Sequence, residues 1–206
     1  MKSLFKSAEL SRKATVEEAL LEAAERVLKR KGYEGTTMRE IAREAGCSNG
    51  SLYLYFDTKE RLFDSLVNSH ACRLMQRMLE CMQSTENVAE KLRLASRANL
   101  EYFNDHRGFF QAFFAAGRGG FDLGLTGAGR NAYEKFKADE LSVINKGQKD
   151  GVIRADVPAS ELSALLQDVS VAAMARWSRS GGSLSLDKQI DTLWRFASGG
   201  LGIRNS

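Results

Sequence analysis

Closely spaced start and stop signals for α-helices in the first third of the chain constrain the fold more than any other feature. Thr37 and Glu40 form a capping box, in which the N-cap and N3 side chains bond each other's backbone amides. Gly46 is the expected stop signal of this helix, and Ser48 supplies the cap of the next one. The pattern predicts two brief helices, 37–45 and 49–56, joined by the turn Gly46-Cys47-Ser48.

The same signals predict a longer helix on each side of this pair. A capping box of Thr15 and Glu18 opens the first helix, and Gly32 ends it. Asp57 and Glu60 form an acidic version of the box and open a helix that continues to about residue 82. We expect residues 1–14 to form a mobile tail.

The remaining two thirds of the chain also indicate helices, with fewer boundary signals. Apolar periodicity predicts helices over 88–104, 132–149, 160–179 and 187–197, and an aromatic segment covers 109–116. The glycine-rich stretch 117–129 and the segment 180–183 are predicted to interrupt these helices. The chain has one proline and no useful strand-like alternation, so we predict an all-α protein of about nine helices.

Composition excludes several classes of protein. The formal net charge of +4 permits nucleic-acid binding without indicating it by itself. The odd number of cysteines, with no CxxC pair, indicates free thiols in a reducing cytoplasm: Cys47, Cys72 and Cys81. Neither a metal nor another cofactor is expected. No signal peptide or long apolar segment is present, so a cytoplasmic location is predicted.

Motifs that suggest an enzyme lack the structural context that each of them needs. The run Gly46-Cys47-Ser48-Asn49-Gly50 matches G-x-S-x-G, but a nucleophile elbow follows a strand, whereas a helix precedes this run. The glycines of 117–129 are not followed by the G-K-[ST] of a phosphate-binding loop. The two histidines, His70 and His106, have no motif around them. No catalytic residue and no enzymatic activity are expected.

Two brief helices joined by a short turn with glycine are typical of the DNA-binding helix-turn-helix. Leu52 and Phe56, one turn apart, are predicted to face the core, which leaves the start of the second helix exposed for the major groove. The runs 32–42, 45–48 and 52–62 resemble the signature of the TetR (tetracycline repressor) family. The resemblance covers about residues 15–67. It implies a three-helix DNA-binding domain over 1–60 and a helical effector-binding and dimerisation domain over 61–206.

The resemblance and the chemistry of the exposed residues together predict the DNA contacts. The Asn49 amide can bond adenine, the Ser51 hydroxyl can bond base edges or phosphate, and Gly50 permits close backbone approach. Tyr53 and Tyr55 occupy family positions that touch DNA, although many relatives have histidine in place of Tyr55. Two alternatives remain open: Tyr53 packs beside the core, and Ser48 only caps. The full predicted set is Thr37, Met38, Arg39, Ser48, Asn49, Gly50, Ser51, Tyr53, Tyr55 and Lys59.

Aromatic residues in the second half of the chain predict the effector pocket. Aromatic-lined cavities between helices suit apolar or aromatic small molecules. The alternative for each phenylalanine is ordinary core packing. The predicted pocket residues are Phe103, Phe110, Phe113, Phe114, Phe121 and Trp177.

The last two predicted helices, 160–179 and 187–197, carry apolar residues on more than one face. A helix with two apolar faces needs two partners. By the resemblance, these helices meet their symmetry mates in a four-helix dimer interface, the alternative being a monomeric core. The predicted interface residues are Leu162, Leu166, Val169, Ala173, Leu193, Trp194 and Phe196.

The sequence therefore predicts a homodimeric repressor that binds double-stranded DNA at a palindromic operator and is released by a small apolar or aromatic ligand. A ligand-dependent activator and a regulator that needs a corepressor are alternatives of the same class. A small-molecule carrier or enzyme with a vestigial DNA-binding domain is the alternative of another class. The identity of the effector, the operator and the target genes does not follow from the sequence.

Overall fold

The structure is a computed structural model that describes residues 2–115, 124–179 and 185–203, with side chains from residue 11 onward. These ranges contain nine α-helices and no strand, which confirms the all-α prediction. The helices are α1 (Lys2–Lys31), α2 (Met38–Glu44), α3 (Asn49–Tyr53), α4 (Lys59–Gln83), α5 (Val88–Asp105), α6 (Arg107–Ala115), α7 (Gly127–Lys149), α8 (Ala159–Arg179) and α9 (Leu186–Gly200). Among the described helices, none combines the length and apolar character needed to cross a membrane.

The predicted starts of α1 and α4 are wrong, and α7 begins at Gly127 rather than at residue 132. Helix α1 begins at Lys2, and the Thr15 hydroxyl donates to the carbonyl oxygen of Ser11 at 2.9 Å, as a threonine in a helix interior does. At the start of α4, the backbone N–H of Arg61 donates to the Thr58 hydroxyl at 3.1 Å, so Thr58 and not Asp57 supplies the capping oxygen. Whether residues 1–14 are mobile in solution stays a prediction.

The turn between α2 and α3 has the geometry that the glycine predicts. Gly46 adopts a positive φ of 70°, a conformation that side chains with a Cβ rarely take. Its N–H donates to the carbonyl of Arg43 at 3.2 Å, and the N–H of Cys47 donates to the carbonyl of Ala42 at 2.9 Å. These two bonds form a Schellman motif, which ends α2 and turns the chain toward α3.

The described residues pack into two compact units. The first extends to Val67 and includes α6 from Gly108 onward. In it, α1 packs against α2 and α2 against α3. The Phe63 ring of α4 lies 4.8 Å from the Tyr33 ring and 5.9 Å from the Phe109 ring. This core also contains the residues that fix α1, α2 and α3: Ala23, Ala24, Val27, Leu28, Ile41, Ala42, Leu52 and Phe56.

The second unit contains Asn68–Arg107 and the described residues from 124 onward. Helix α5 is central to it, because it contacts α7, α8 and α9. The core is formed by Val88, Leu92, Ile144, Ile153, Ala159, Leu162, Leu166, Ala197 and Leu201. The domain boundary expected after residue 60 stays a prediction.

Candidate DNA-binding interface

The exposed start of α3 is the centre of the candidate site. The backbone N–H of Ser51 donates to the Ser48 hydroxyl oxygen at 3.1 Å, and the two hydroxyl oxygens lie 2.9 Å apart. Leu52 is fully buried and holds the other face of this short helix in the core. The Ser48 cap and the buried Leu52 therefore fix the start of α3, which exposes Asn49, Gly50 and Ser51 to solvent. Ser48 is exposed as well, but its oxygen is engaged in the cap.

The residues at the end of α3 extend the same exposed surface. Tyr53 is 51% exposed, which favours the surface interpretation over packing beside the core. Tyr55 is half-buried. Leu54 is 82% exposed and was not among the predicted contacts. The spacing of Leu52 and Phe56 could have identified it, because a residue midway between two buried positions one turn apart lies on the opposite face.

The start of α2 confirms the predicted Thr37 cap and corrects one contact. The Glu40 N–H donates to the Thr37 hydroxyl oxygen at 3.3 Å, and this hydroxyl donates to the Glu40 carboxylate at 3.1 Å. Thr37 itself is exposed. Met38 is only 8% exposed, so its side chain belongs to the core and is not available to DNA. Only the backbone N–H of Met38, at the first turn of α2, remains for such a contact.

Ion pairs join basic residues near the end of α1 to α2. Arg26 donates to Glu44 at 2.8 Å, Arg30 also binds Glu44, and Lys31 binds Glu40. The pKa of Glu44 is lowered by hydrogen bonds from Arg30 and then Arg26. The pKa of Glu40 is lowered chiefly by its hydrogen bond from Lys31. These carboxylates are therefore ionised at neutral pH and hold α2 against α1.

Arg39 and Arg43 differ from the arginines of α1. Both are exposed, and they lie four residues apart on one face of α2. Neither forms an ion pair with any residue that the structure describes. Their guanidinium groups are therefore free for phosphate oxygens, which is the chemistry that Arg39 was predicted to supply. Arg43, which is not in the predicted set, has the same environment.

Lys59, one of the predicted DNA contacts, is engaged inside the first unit. Its ammonium group donates to the backbone carbonyl of Tyr33 at 3.2 Å and lies 4.3 Å from the centre of the Tyr33 ring. The side chain is half-buried. The structure thus gives Lys59 a role in holding α4 to the end of α1, and its contact with phosphate stays a prediction.

The predicted effector residues fall into different units. In the second unit, the Phe103 and Trp177 rings contact each other at 5.4 Å. Phe110, Phe113 and Phe114 belong to α6 in the first unit, where the Phe113 and Phe114 rings are 5.5 Å apart. Phe121 lies outside the described residues. Whether these aromatic residues line a pocket stays a prediction.

A surface groove of about 600 Å³ lies between α4 and α7 in the second unit. It is lined by Cys72, Arg73, Gln76, Arg77, Glu80 and Ala132, and thus not by the predicted aromatic residues. Burial raises the pKa of the Cys72 thiol, which keeps it protonated and poorly nucleophilic.

The predicted dimer residues divide into buried and exposed groups. Leu162, Leu166 and Leu193 are buried in the core of their own chain, so they are not available to a partner chain. Phe196 is 66% exposed, and Leu165, which was not in the predicted set, is 55% exposed. The remaining predicted residues are half-buried: Val169, Ala173 and Trp194. Periodicity identified the apolar faces of α8 and α9 but not which of them the chain buries itself.

Comparison with known proteins supports a DNA-binding role for the first unit. Residues 20–66 match the family model described as bacterial regulatory proteins, tetR family. The transcriptional repressor KstR2 of Mycobacterium tuberculosis (strain ATCC 25618 / H37Rv) is 28% identical over 171 residues, which cover 81% of this chain and 82% of the repressor. KstR2 of Rhodococcus jostii is also 28% identical, over 176 residues that cover 82% of each chain.

Solved structures share this all-α fold over most of the chain. The ketosteroid transcriptional regulator KstR2 of M. tuberculosis matches with a TM-score of 0.66 and 25% identity, over 92% of this chain and 95% of that one. The fatty acid degradation regulator FadR from Bacillus halodurans matches with a TM-score of 0.74 and 18% identity, over 92% and 97% of the two chains. Residues 20–66 therefore carry a helix-turn-helix of the tetR family type, and this chain resembles transcriptional repressors along about four fifths of its length and in its fold.

Proposed function

We propose that this protein is a homodimeric repressor that binds a palindromic operator through α3 and is released by a small apolar or aromatic ligand. One observation carries the proposal. The start of α3 exposes Asn49, Gly50 and Ser51 while the buried Leu52 and the Ser48 cap fix the helix. The name of the KstR2 relatives, transcriptional repressors, supports repression over activation.

The exposed chemistry indicates how the operator is read. An asparagine amide bonds adenine with two hydrogen bonds, and a serine hydroxyl accepts or donates to several base edges. Asn49 and Ser51 are therefore the proposed reading residues. Arg39 and Arg43 supply charge for phosphates, which fixes the position of the helix without reading sequence. Since α3 has no Lys or Arg, guanine recognition by arginine is not part of the proposal.

The exposed apolar surface of α8 and α9 is the proposed dimer interface. It contains Leu165 and Phe196, together with the half-buried Val169, Ala173 and Trp194. Complete burial of a Leu or Phe side chain stabilises an interface by about 1.5–3 kcal/mol. A two-fold dimer then presents two copies of α3 to half-sites about one DNA turn apart.

The proposed ligand class follows from the aromatic residues and agrees with the relatives. KstR2 is described as a ketosteroid transcriptional regulator, and FadR of Bacillus subtilis was solved in complex with stearoyl-CoA. Both descriptions name molecules with a large apolar part. A ligand releases the repressor only through a higher affinity for the conformation that does not bind DNA. Operator DNA must then weaken ligand binding by the same factor.

Selection from a randomised pool of duplex DNA tests the proposal directly. The wild-type protein should enrich a palindrome, and Asn49→Ala and Tyr53→Ala should lose affinity for it. Gln83→Ala, an exposed amide near the end of α4, is the matched control and should bind normally. Absence of any enriched motif would overturn the proposal in favour of a corepressor-requiring regulator or a carrier.

The oligomeric state needs its own measurement. Sedimentation of the wild-type protein should show a dimer, and Phe196→Glu should shift it to monomer because a charge would be buried in the interface. Lys149→Glu, an exposed residue near the end of α7, is the control and should remain dimeric. A wild-type monomer at micromolar concentration would contradict the dimer.

A further inference from the structure

The buried polar atoms of the second unit that have no hydrogen-bond partner among the described residues include Oδ1 of Asn99 on α5 and Nε of Arg107 at the start of α6. Asn99 is only 7% exposed, and Arg107 forms no ion pair within the described chain. A buried polar group without a partner is costly, so each such atom in a native protein indicates a missing partner or a function.

Each of the two residues is a neighbour of one ring of an aromatic pair, Phe103 and Trp177, which belongs to the predicted effector residues. Phe103 follows Asn99 by one helical turn, on the same face of α5, and is fully buried. Its ring lies 5.4 Å from the Trp177 ring of α8, and the guanidinium carbon of Arg107 lies 5.1 Å from the centre of the Trp177 ring. The aromatic pair thus has a hydrogen-bond acceptor one helical turn from Phe103 and a cationic donor beside the Trp177 ring.

We propose that Asn99, Phe103, Arg107 and Trp177 form the effector site, and that the effector is an apolar ring compound with a carboxylate and a hydroxyl. The assignment rests on the proposed function, since it names the ligand class of the same regulator. The carboxylate binds the Arg107 guanidinium, because a cation without an ionic partner selects an anion. The hydroxyl donates to Asn99 Oδ1, which only accepts. The ring packs against Phe103 and Trp177.

The same geometry connects the ligand to the fold. Phe103 lies on α5 and Trp177 on α8, and their rings are in contact. A ring inserted between them separates α5 from α8, which also carries Leu165 of the proposed dimer interface. The ligand therefore binds more tightly to the conformation in which α5 and α8 are separated.

The thermal midpoint of the ligand-free protein is the first test. Asn99→Leu replaces the amide by an apolar side chain of similar size, so the midpoint should rise by a few degrees because an unpartnered group is removed. Ser96→Ala, on the same helix, is the control: its hydroxyl already donates to the Leu92 carbonyl at 2.8 Å, and its removal should not raise the midpoint. A lower midpoint for Asn99→Leu would show that the amide is structural and would overturn the inference.

Calorimetric titration is the second test, with 6-hydroxy-2-naphthoate as the probe. The wild type should bind it about tenfold more tightly than 2-naphthoate, which lacks the hydroxyl, and about tenfold more tightly than 2-naphthol, which lacks the carboxylate. In Arg107→Met, 6-hydroxy-2-naphthoate should bind no more tightly than 2-naphthol. In Asn99→Leu, it should bind no more tightly than 2-naphthoate. Arg179→Met, an exposed arginine of α8, should keep both.

Equal affinity for the three compounds, or no binding of any at millimolar concentration, would overturn the inference. Neither result depends on the outcome of the DNA selection experiment. A protein that enriches a palindrome but does not discriminate among the naphthalene probes keeps the proposed function and loses this effector site.

Discussion

The Lys59 ammonium group donates to the backbone carbonyl of Tyr33 at 3.2 Å while lying 4.3 Å from the centre of the same residue's ring. One side chain at the start of α4 therefore holds both the backbone and the ring of a residue just after α1. The Tyr33 ring packs in turn on Phe63, which is almost fully buried. These contacts are intramolecular, so Lys59 stabilises the first unit in the absence of DNA.

Lys59→Met should lower the free energy of unfolding by about 1–2 kcal/mol, since a hydrogen bond and a cation–π contact are lost together. Urea denaturation without DNA measures the effect. Arg61→Met changes an exposed cation two residues later and should leave the midpoint unchanged. If Lys59→Met unfolds like the wild type but binds DNA with a weaker salt dependence, Lys59 acts as a phosphate contact instead.

Local signals explain why the helix-turn-helix is predictable from the sequence. The Thr37–Glu40 box, the positive φ of Gly46 and the Ser48 cap each involve residues fewer than six positions apart. The start of α1 is not predictable in this way, because the threonine side chain that caps a helix also bonds a carbonyl four residues earlier inside one.

Non-local packing explains the errors in the candidate interfaces. Periodicity shows that Leu162 and Leu166 lie on an apolar face, but only the fold shows that α5 and α7 cover it. The error at Met38 has the same cause. Its place in the first turn of α2 suggests contact with DNA, but only the fold shows that its side chain is buried in the core. The unpartnered state of Asn99 has no sequence signal, because it depends on what surrounds the amide.

Arg39→Gln and Arg43→Gln should each weaken operator binding uniformly across sequences and reduce its salt dependence. Each phosphate contact contributes about 0.9 to the slope of log K against log salt, so a dimer should lose about two units per substitution. Affinities measured between low and moderate salt give the slopes. Lys149→Gln, exposed near the end of α7, should keep the wild-type slope. An unchanged slope for both arginine variants would show that α2 does not contact phosphate.

Gly147→Ala should destabilise the second unit by about 1–3 kcal/mol through overpacking. A Cβ at this position would lie 2.6 Å from Ile153 Cδ1 and 2.8 Å from Val88 Cγ1, and both neighbours are buried. Thermal unfolding measures the loss. Gly50→Ala is the matched control for stability, because its Cβ would meet only Ser48 Oγ, at 3.8 Å. A wild-type midpoint for Gly147→Ala would mean that α5 and α7 separate easily.

A buried carboxyl between α7 and α8 should make stability depend on pH. Glu140 Oε2 accepts hydrogen bonds from the Ser163 hydroxyl at 2.7 Å and from the Gln167 amide at 2.9 Å. Burial raises the pKa of Glu140 above its usual 4.5, although these two bonds and Lys137 oppose the change. Because the folded pKa lies above the unfolded one, the contribution of Glu140 is complete below about pH 4.5 and is lost as pH rises through the folded pKa.

Glu140→Gln tests this pH dependence, since it removes the ionisation and keeps a carbonyl oxygen for both donors. Relative to the wild type, the variant should gain stability as pH rises from about 4.5 to about 8, because only the wild type must then bury a charge or retain a proton. Urea denaturation across this range provides the two curves. Glu134 is an exposed carboxylate on the same helix, and the curve of stability against pH for Glu134→Gln should run parallel to that of the wild type. Parallel curves for Glu140→Gln as well would show that the Glu140 carboxyl titrates alike in the folded and unfolded chains.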